Sequence, residues 1–450
     1  MLPRRGRGRQ SPGGRPHDAL RWCAHASEHV IRRPRTERER RPQPGADDNR
    51  VPQDVDDKQN DTYSGFATAG RDRRCFRVLQ PEPSRSFCAA ALSTGGATIA
   101  LEGMRTVIVP AKRCRVGRSA VSIGPLGFGG NALSNLYAAV DEAEALAAVR
   151  AAYAGGVRFF DTAPLYGHGL GEHRLGSALR VFPRDSFVLS TKVGRLLRPH
   201  GRNPPSKPSP RQGGIFVDEL PFEPIFDYSA AAIRRSVEDS LTRLGTNRID
   251  IAFIHDIDRW THGEAYEQRF AEVITSALPA LRQAKEEGLI AAIGAGVNDI
   301  EACLRLAEHA DIDCCMLAGR WTLLEREGTS ELFARCIERG VTILAAAPFN
   351  SGILATGAVA GARYNYLPAP PEIVAQVAAL ERVCAKYGVE LPAAALQFPL
   401  RHSAVACVVA GWRSPAEAGR SLALFAAPIP AAFWAEIATL DAGLSVGAVR

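Results

Sequence analysis

Four polar residues in this chain have the types needed to pass a proton: Asp161, Tyr166, Lys192 and His255. A free tyrosine phenol loses its proton near pH ~10 and is a poor base at neutrality. A neighbouring ammonium stabilises the phenolate and lowers that value. Lys192 has the charge to do this, and Asp161 would pair with Lys192 and hold it. His255 would orient a substrate oxygen through a hydrogen bond. A phenol that gains and loses a proton beside an oriented oxygen suits the interconversion of a carbonyl and an alcohol. Any one of these residues alone is weak evidence, because ionisable side chains also serve structure. The chemistry therefore depends on elements that bring all four together.

The sequence supplies such elements. Eight short apolar runs follow one another: SIGPLGFGG (122–130), VRFFDTA (157–163), FVLSTKV (187–193), IDIAFIH (249–255), LIAAIGAGV (289–297), CCMLAG (314–319), VTILAAAP (341–348) and AVACVVAG (404–411). Amphipathic stretches of helical period lie between them, such as 141–156, 229–245 and 371–388. The last two end in Gly245 and Gly388, a common helix stop. Strands alternating with helices imply parallel units buried on both faces. Eight of them predict a (β/α)₈ TIM barrel, an α/β fold whose chemistry sits at the C-terminal ends of the strands. Asp161, Tyr166, Lys192 and His255 fall at or just beyond three consecutive ends. The stretch VIVPAKRCRV (107–116) is expected to cap the barrel floor as a short hairpin.

The blocks DTAPLYGHGLGEHRLG (161–176), STKVG (190–194) and IAFIHD (251–256) resemble the signature segments of the aldo-keto reductase superfamily. The resemblance covers roughly residues 113–440. It implies a (β/α)₈ barrel, NAD or NADP bound without a Rossmann domain, and a catalytic tetrad carried by Asp161, Tyr166, Lys192 and His255. It also implies cofactor contacts. Asn298 resembles a residue that holds the nicotinamide carboxamide, and Trp321 the aromatic residue that stacks on its ring. Asn350, Ser351, Gly352 and Leu354, in APFNSGIL (347–354), resemble a loop that embraces the pyrophosphate. Gly411, Arg413, Ser414 and Glu417 resemble the segment at the adenosine phosphate. Arg413 would meet a 2′-phosphate or cover the adenine, so the choice between NAD and NADP stays open. Ala318 and Ser421 stand where the family usually has a glutamine and an asparagine.

Within the superfamily, GIFVDELPFEPIFDYS (214–229), HDIDRWTHG (255–263) and LAGRWTLLE (317–325) resemble bacterial aldose 1-dehydrogenases and pyridoxal 4-dehydrogenases. That likeness implies oxidation of a cyclic hemiacetal, such as L-fucose or D-arabinose, to a lactone, with Tyr166 as acid and base. Oxidation of pyridoxal, or general aldehyde and ketone reduction, are the alternatives. A non-catalytic nicotinamide-binding accessory subunit is an alternative of another class. The Pro- and Gly-rich insert 195–224 is expected to form a substrate lid, with Phe216, Phe222 and Phe226 as an apolar wall.

Composition sets the outer limits. The chain has 450 residues, 46% hydrophobic and 23% charged, enough for a large core. Its net charge of +7 is uneven: residues 1–103 hold 19 Lys+Arg against 13 Asp+Glu, and the rest 36 against 35. The barrel is therefore not expected to bind nucleic acid. Residues 1–103 are rich in Arg, Pro and Gly and lack apolar periodicity, so they read as a basic, disordered extension or a mis-assigned start ahead of Met104. The barrel is expected over 104–450. No apolar run is long enough to span a membrane. The ten cysteines form no C-x-x-C pair, which suits buried thiols in a reducing, cytoplasmic setting. GFGGNA (127–132) approximates a dinucleotide fingerprint, but Asp161 lies too far beyond it for the usual ~20-residue spacing. A metal site at His168, Glu172 and His173 is not expected, because no metal-binding motif supports it. The substrate is expected to be a small sugar or aldehyde. The sequence carries no signal for oligomeric state.

Overall fold

The computed structural model describes residues 113–202 and 214–440. The expected extension at 1–103, the start at Met104 and the segment 203–213 of the insert lie outside the described residues. Eight parallel strands close into a barrel. They are β1 (Leu126–Gly129), β2 (Phe159–Asp161), β3 (Val188–Val193), β4 (Ile249–His255), β5 (Ile290–Val297), β6 (Cys314–Ala318), β7 (Thr342–Ala346) and β8 (Val405–Ala410). Each pairs with its sequence neighbours, and β8 closes on β1 through Val408↔Leu126. All eight lie within the apolar runs named above.

The strands carry apolar residues on both faces because both are covered. Phe160 faces the outer layer and packs with Phe128 and Phe187. Its neighbour Phe159 faces the interior with Val188, Ile251, Phe253, Met316 and Leu344. Two glycines make room for those interior rings. A Cβ on Gly127 would meet the Phe159 ring at 2.6 Å, and one on Gly294 the Phe253 ring at 2.7 Å. The floor is plugged by Val116, Val121 and Ile123, around the antiparallel pair Cys114–Arg115 and Ser122–Ile123.

The helices follow their local signals. α1 (Glu142–Ala154) is capped by Asp141, whose carboxylate accepts from the Ala143 and Glu144 amides. α2 (Leu170–Leu179) follows β2. α3 (Ala230–Leu244) starts at the Ser229 cap and stops at Gly245, φ +63°. α4 (Leu278–Glu286), α5 (Ile300–His309) and α6 (Ser330–Arg339) complete the next units. α7 (Pro371–Tyr387) and α8 (Leu391–Gln397) separate β7 from β8. α9 (Pro415–Ala426) and α10 (Ala431–Leu440) finish the described chain. Among the described residues, no single helix is long and apolar enough to cross a membrane.

The insert after β3 is more ordered at its base than a solvated lid. Arg195–Pro199 and Phe222–Phe226 form an antiparallel pair. Beyond it, Phe216 bridges to Leu136, and the Tyr137 and Val217 amides donate to the Ile215 and Asn135 carbonyls.

Candidate active site

Strand register brings the polar residues together. Asp161 ends β2 opposite Ser190 of β3, and the Ser190 hydroxyl donates to Asp161 Oδ1 at 2.7 Å. Lys192 lies two residues further along β3, on the same face. Its ammonium donates to Asp161 Oδ2 at 2.6 Å and to the Thr162 carbonyl at 2.9 Å. Lys192 has space because β5 carries Gly296, where a Cβ would come within 3.3 Å of Lys192 Cε. His255 ends β4 opposite Gly296. Tyr166 sits on the turn after β2, where Gly167 and His168 both take positive φ.

Asp161, Tyr166, Lys192 and His255 all line one cavity of about 400 Å³. The Lys192 ammonium lies 4.7 Å from the centre of the Tyr166 ring, and the His255 ring stands edge-on to it at 6.1 Å. Burial pushes the Tyr166 phenol well above its ordinary value, and the Asp161 carboxylate adds to this. Burial thus outweighs the lowering expected from Lys192. The lysine charge is spent on Asp161, a partner it holds at 2.6 Å, so the resting phenol keeps its proton. Asp161 is itself pushed up by burial and pulled back by Lys192. Burial lowers His255 to about 3, against the pull of Asp256, so its imidazole is neutral at physiological pH.

The cofactor candidates divide. Asn298, Asn350, Ser351, Gly352, Gly411 and Arg413 line the same cavity. Asn298 Nδ2 donates to the Tyr366 hydroxyl at 3.3 Å, and the Ser351 hydroxyl accepts from the Tyr366 amide at 2.9 Å. Gly411 must be glycine, because a Cβ would stand 2.9 Å from Ala132 Cβ and 3.0 Å from the Gly129 carbonyl oxygen.

Four residues expected at the cofactor lie outside this cavity wall. Trp321 is not part of this cavity wall. Its indole donates to the Pro399 carbonyl at 3.1 Å, and its ring packs against Phe333 and Phe398, each at 5.0 Å. Leu354 is fully buried with Ile353, Val377 and Leu380 in the core beneath α7 and α8. Ser414 and Glu417 build the start of α9: the Ser414 hydroxyl accepts from the Glu417 amide, and the Glu417 carboxylate takes the Arg413 amide and guanidinium. Of the three expected phenylalanines, only Phe216 lines the cavity. Phe226 instead lies under the Arg195 guanidinium, 4.0 Å from its ring centre.

Glu172 is engaged by other side chains. It is fully buried, accepts from the Thr191 hydroxyl at 2.6 Å and pairs with Arg243 at 2.5 Å. Among the described residues no cluster of His, Cys, Asp or Glu is arranged to hold a metal ion.

Two cavity residues, Asp256 and Tyr366, were given no role by the sequence. Asp256 follows His255 and pairs with Arg195, 2.5 Å away. Tyr366 reaches the wall from the connection between β7 and α7, which no strand-end rule covers. Its ring is stacked with Trp260.

The cavity fits a dinucleotide. The side-chain oxygens of Asn131 and Asn350 are buried on its wall with no hydrogen-bond partner, so they await donors from a polar ligand. The wall runs from Tyr166 and His255 to Arg413, beside the first turn of α9. A helix start suits phosphate.

Comparison with known proteins agrees. The aldo/keto reductase family model matches residues 125–442. The chain is 39% identical over 323 residues to pyridoxal 4-dehydrogenase of Microbacterium luteolum, covering 71% of this chain and 94% of that protein. It is 40% identical over 319 residues to D-threo-aldose 1-dehydrogenase of a Pseudomonas species, with the same coverage of both. The fold resembles the aldo-keto reductase AKR11C1 from Bacillus halodurans in its holo form, at TM-score 0.58 and 25% identity, over 73% of this chain and 96% of that one. The match across the barrel and the level of identity to these relatives establish that the chain belongs to the aldo/keto reductase family and is an NAD(P)-dependent oxidoreductase.

Proposed function

We propose that this enzyme oxidises the cyclic hemiacetal of an aldose, such as L-fucose or D-arabinose, to the lactone. The reading rests chiefly on the convergence of Tyr166, the Asp161–Lys192 pair and neutral His255 on one cavity. Identity of 40% to a D-threo-aldose 1-dehydrogenase supports the substrate class. When bound, an oxidised nicotinamide dinucleotide would supply the hydride acceptor for the reacting carbon. In oxidation Tyr166 first loses its own proton to solvent and then, as phenolate, takes the proton of the C1 hydroxyl; in reduction the phenol gives its proton to the carbonyl oxygen. His255, neutral, donates a hydrogen bond to the same oxygen. Lys192 offsets the Asp161 charge beneath the phenol, so a Tyr166 phenolate does not face an unbalanced carboxylate. Asn298, Asn350, Ser351, Gly352, Gly411 and Arg413 would hold the dinucleotide.

NAD is proposed as the preferred form. Arg413 Nε and Nη2 lie 3.2 and 2.9 Å from Glu417 Oε1, and the Arg413 amide donates to Glu417 Oε2 at 2.8 Å. A 2′-phosphate would have to displace that carboxylate and sit beside its charge.

The test is a turnover screen of L-fucose, D-arabinose, L-galactose and pyridoxal with both cofactors, followed by reduced-nicotinamide absorbance. Aldose turnover with NAD is expected. The competing reading is pyridoxal oxidation, favoured by 39% identity to a pyridoxal 4-dehydrogenase and by the hemiacetal that pyridoxal forms in water. Pyridoxal turnover without aldose turnover would select it.

A further inference from the structure

The Arg195–Asp256 pair is the strongest feature that the proton-relay chemistry leaves unused. Asp256 takes φ +50°, a left-handed backbone that a non-glycine residue adopts at a cost. That backbone is pinned by its amide, which donates to the Gly296 carbonyl at 2.9 Å. The side chain forms part of the cavity wall with Tyr166 and His255. Its Oδ2 receives the Arg195 guanidinium at 2.5 Å and lies 3.5 Å from His255 Nε2. Among the described residues, its other oxygen has no hydrogen-bond partner.

Arg195 is built to hold that carboxylate and nothing in the cavity. It is 3% exposed, leaves β3 as the first residue of the insert's antiparallel pair, and rests on the Phe226 ring. Burial pushes the Asp256 carboxyl up, but the charge and hydrogen bond of Arg195 pull it below its ordinary range, so it is ionised. An ionised oxygen on a substrate wall must be hydrogen-bonded when the cleft fills and water leaves, or binding is penalised. The donor has to come from the ligand.

We infer that Asp256 reads the substrate: clamped by Arg195, it accepts a hydrogen bond from the hydroxyl adjacent to the reacting carbon and selects hydroxylated hemiacetals over plain aldehydes. The inference rests on the aldose reading above. The geometry suits a vicinal pair of oxygens. The oxygen on the reacting carbon takes the His255 Nε2 donor, and its neighbour one carbon away meets the adjacent carboxylate. A plain aldehyde satisfies His255 but leaves the second Asp256 oxygen without a donor. Arg195 is a positioning residue, since it acts through Asp256.

The test compares kcat/KM for oxidation of D-arabinose, for oxidation of 2-deoxy-D-ribose (the same sugar without the C2 hydroxyl) and for reduction of butanal, in the wild type and in Asp256→Asn. Folding and cofactor binding are checked by melting and fluorescence quenching. In the wild type, removing the hydroxyl should lower kcat/KM about 10- to 100-fold, as expected for a hydrogen bond to a charged group. In Asp256→Asn, D-arabinose should fall by a similar factor, mainly through KM. The deoxy sugar and butanal should change less than about threefold. A wild type that treats the two sugars alike overturns the inference, whether or not the variant folds. Equal losses on all three substrates also overturn it, because a structural or His255-tuning role would act on every substrate. Butanal reduction with no turnover of any aldose refutes the aldose reading, and this inference with it.

Discussion

Replacing Tyr166 with phenylalanine separates chemistry from structure. The substitution removes one oxygen and keeps the ring. The Lys192 ammonium 4.7 Å from the ring centre and the Phe216 ring at 6.3 Å retain their partner. The Tyr166 hydroxyl makes no hydrogen bond among the described residues, so folding stability should change by less than about 1 kcal/mol. Loss of a positioned acid–base group typically costs about 10²- to 10⁴-fold, which raises the barrier by about 2.7–5.4 kcal/mol. The loss should fall on kcat, with the cofactor still quenching protein fluorescence at wild-type concentrations. The pH profile adds a second readout. Because burial holds the phenol well above its ordinary value, the phenolate that oxidation needs as its base forms more readily as pH rises. Wild-type oxidation should therefore rise with pH through the neutral and alkaline range, whereas residual activity in Tyr166→Phe should lose that rise. A variant that keeps a tenth or more of wild-type kcat, or the same pH slope, refutes Tyr166 as the proton carrier.

Lys192→Met should destabilise the fold by about 3–5 kcal/mol, because it leaves Asp161 buried without its charge partner. The double variant Lys192→Met/Asp161→Asn should regain much of that stability in denaturant titration, but not the activity. Any residual oxidation in Lys192→Met should begin at higher pH, since the Asp161 charge then opposes the phenolate unbalanced. Glu417→Gln should improve kcat/KM with NADP about two- to fivefold, a modest gain because the Arg413–Glu417 pair is largely exposed; no change in the NADP to NAD ratio would remove Glu417 as the cause of selectivity. Trp321→Phe should lower stability by about 1 kcal/mol through loss of the bond to the Pro399 carbonyl. Its cofactor KM should stay unchanged, and a large rise would place Trp321 at the nicotinamide after all.

The legible part of the sequence was its strands and what stands at their ends. A buried parallel strand is a short apolar run, and the barrel rule then assigns its last residues to the mouth. Asp161, Lys192 and His255 were reached that way, and Tyr166 by its place just beyond β2. The expected cofactor contacts were legible only by likeness, and likeness gives type and order rather than direction. Trp321 and Leu354 stand in the expected segments, yet one packs on Phe333 and Phe398 and the other fills the core under α7 and α8. In the same way, Phe222 and Phe226 shared a run with Phe216, but strand pairing at the base of the insert turned Phe226 toward Arg195.

Asp161, Tyr166, Lys192 and His255 themselves show where the division falls. Sequence alone determined which groups meet, because register along adjacent strands is set by the same apolar pattern that builds the barrel. Tertiary structure decided their charge state. Burial and the 2.6 Å Asp161–Lys192 contact leave Tyr166 a protonated phenol rather than a pre-lowered base, and burial leaves His255 neutral. Tertiary structure also joined Arg195, from the base of an insert, to Asp256, at the end of a different strand. Desolvation and pairing depend on every neighbour in three dimensions, and those neighbours are scattered along the chain.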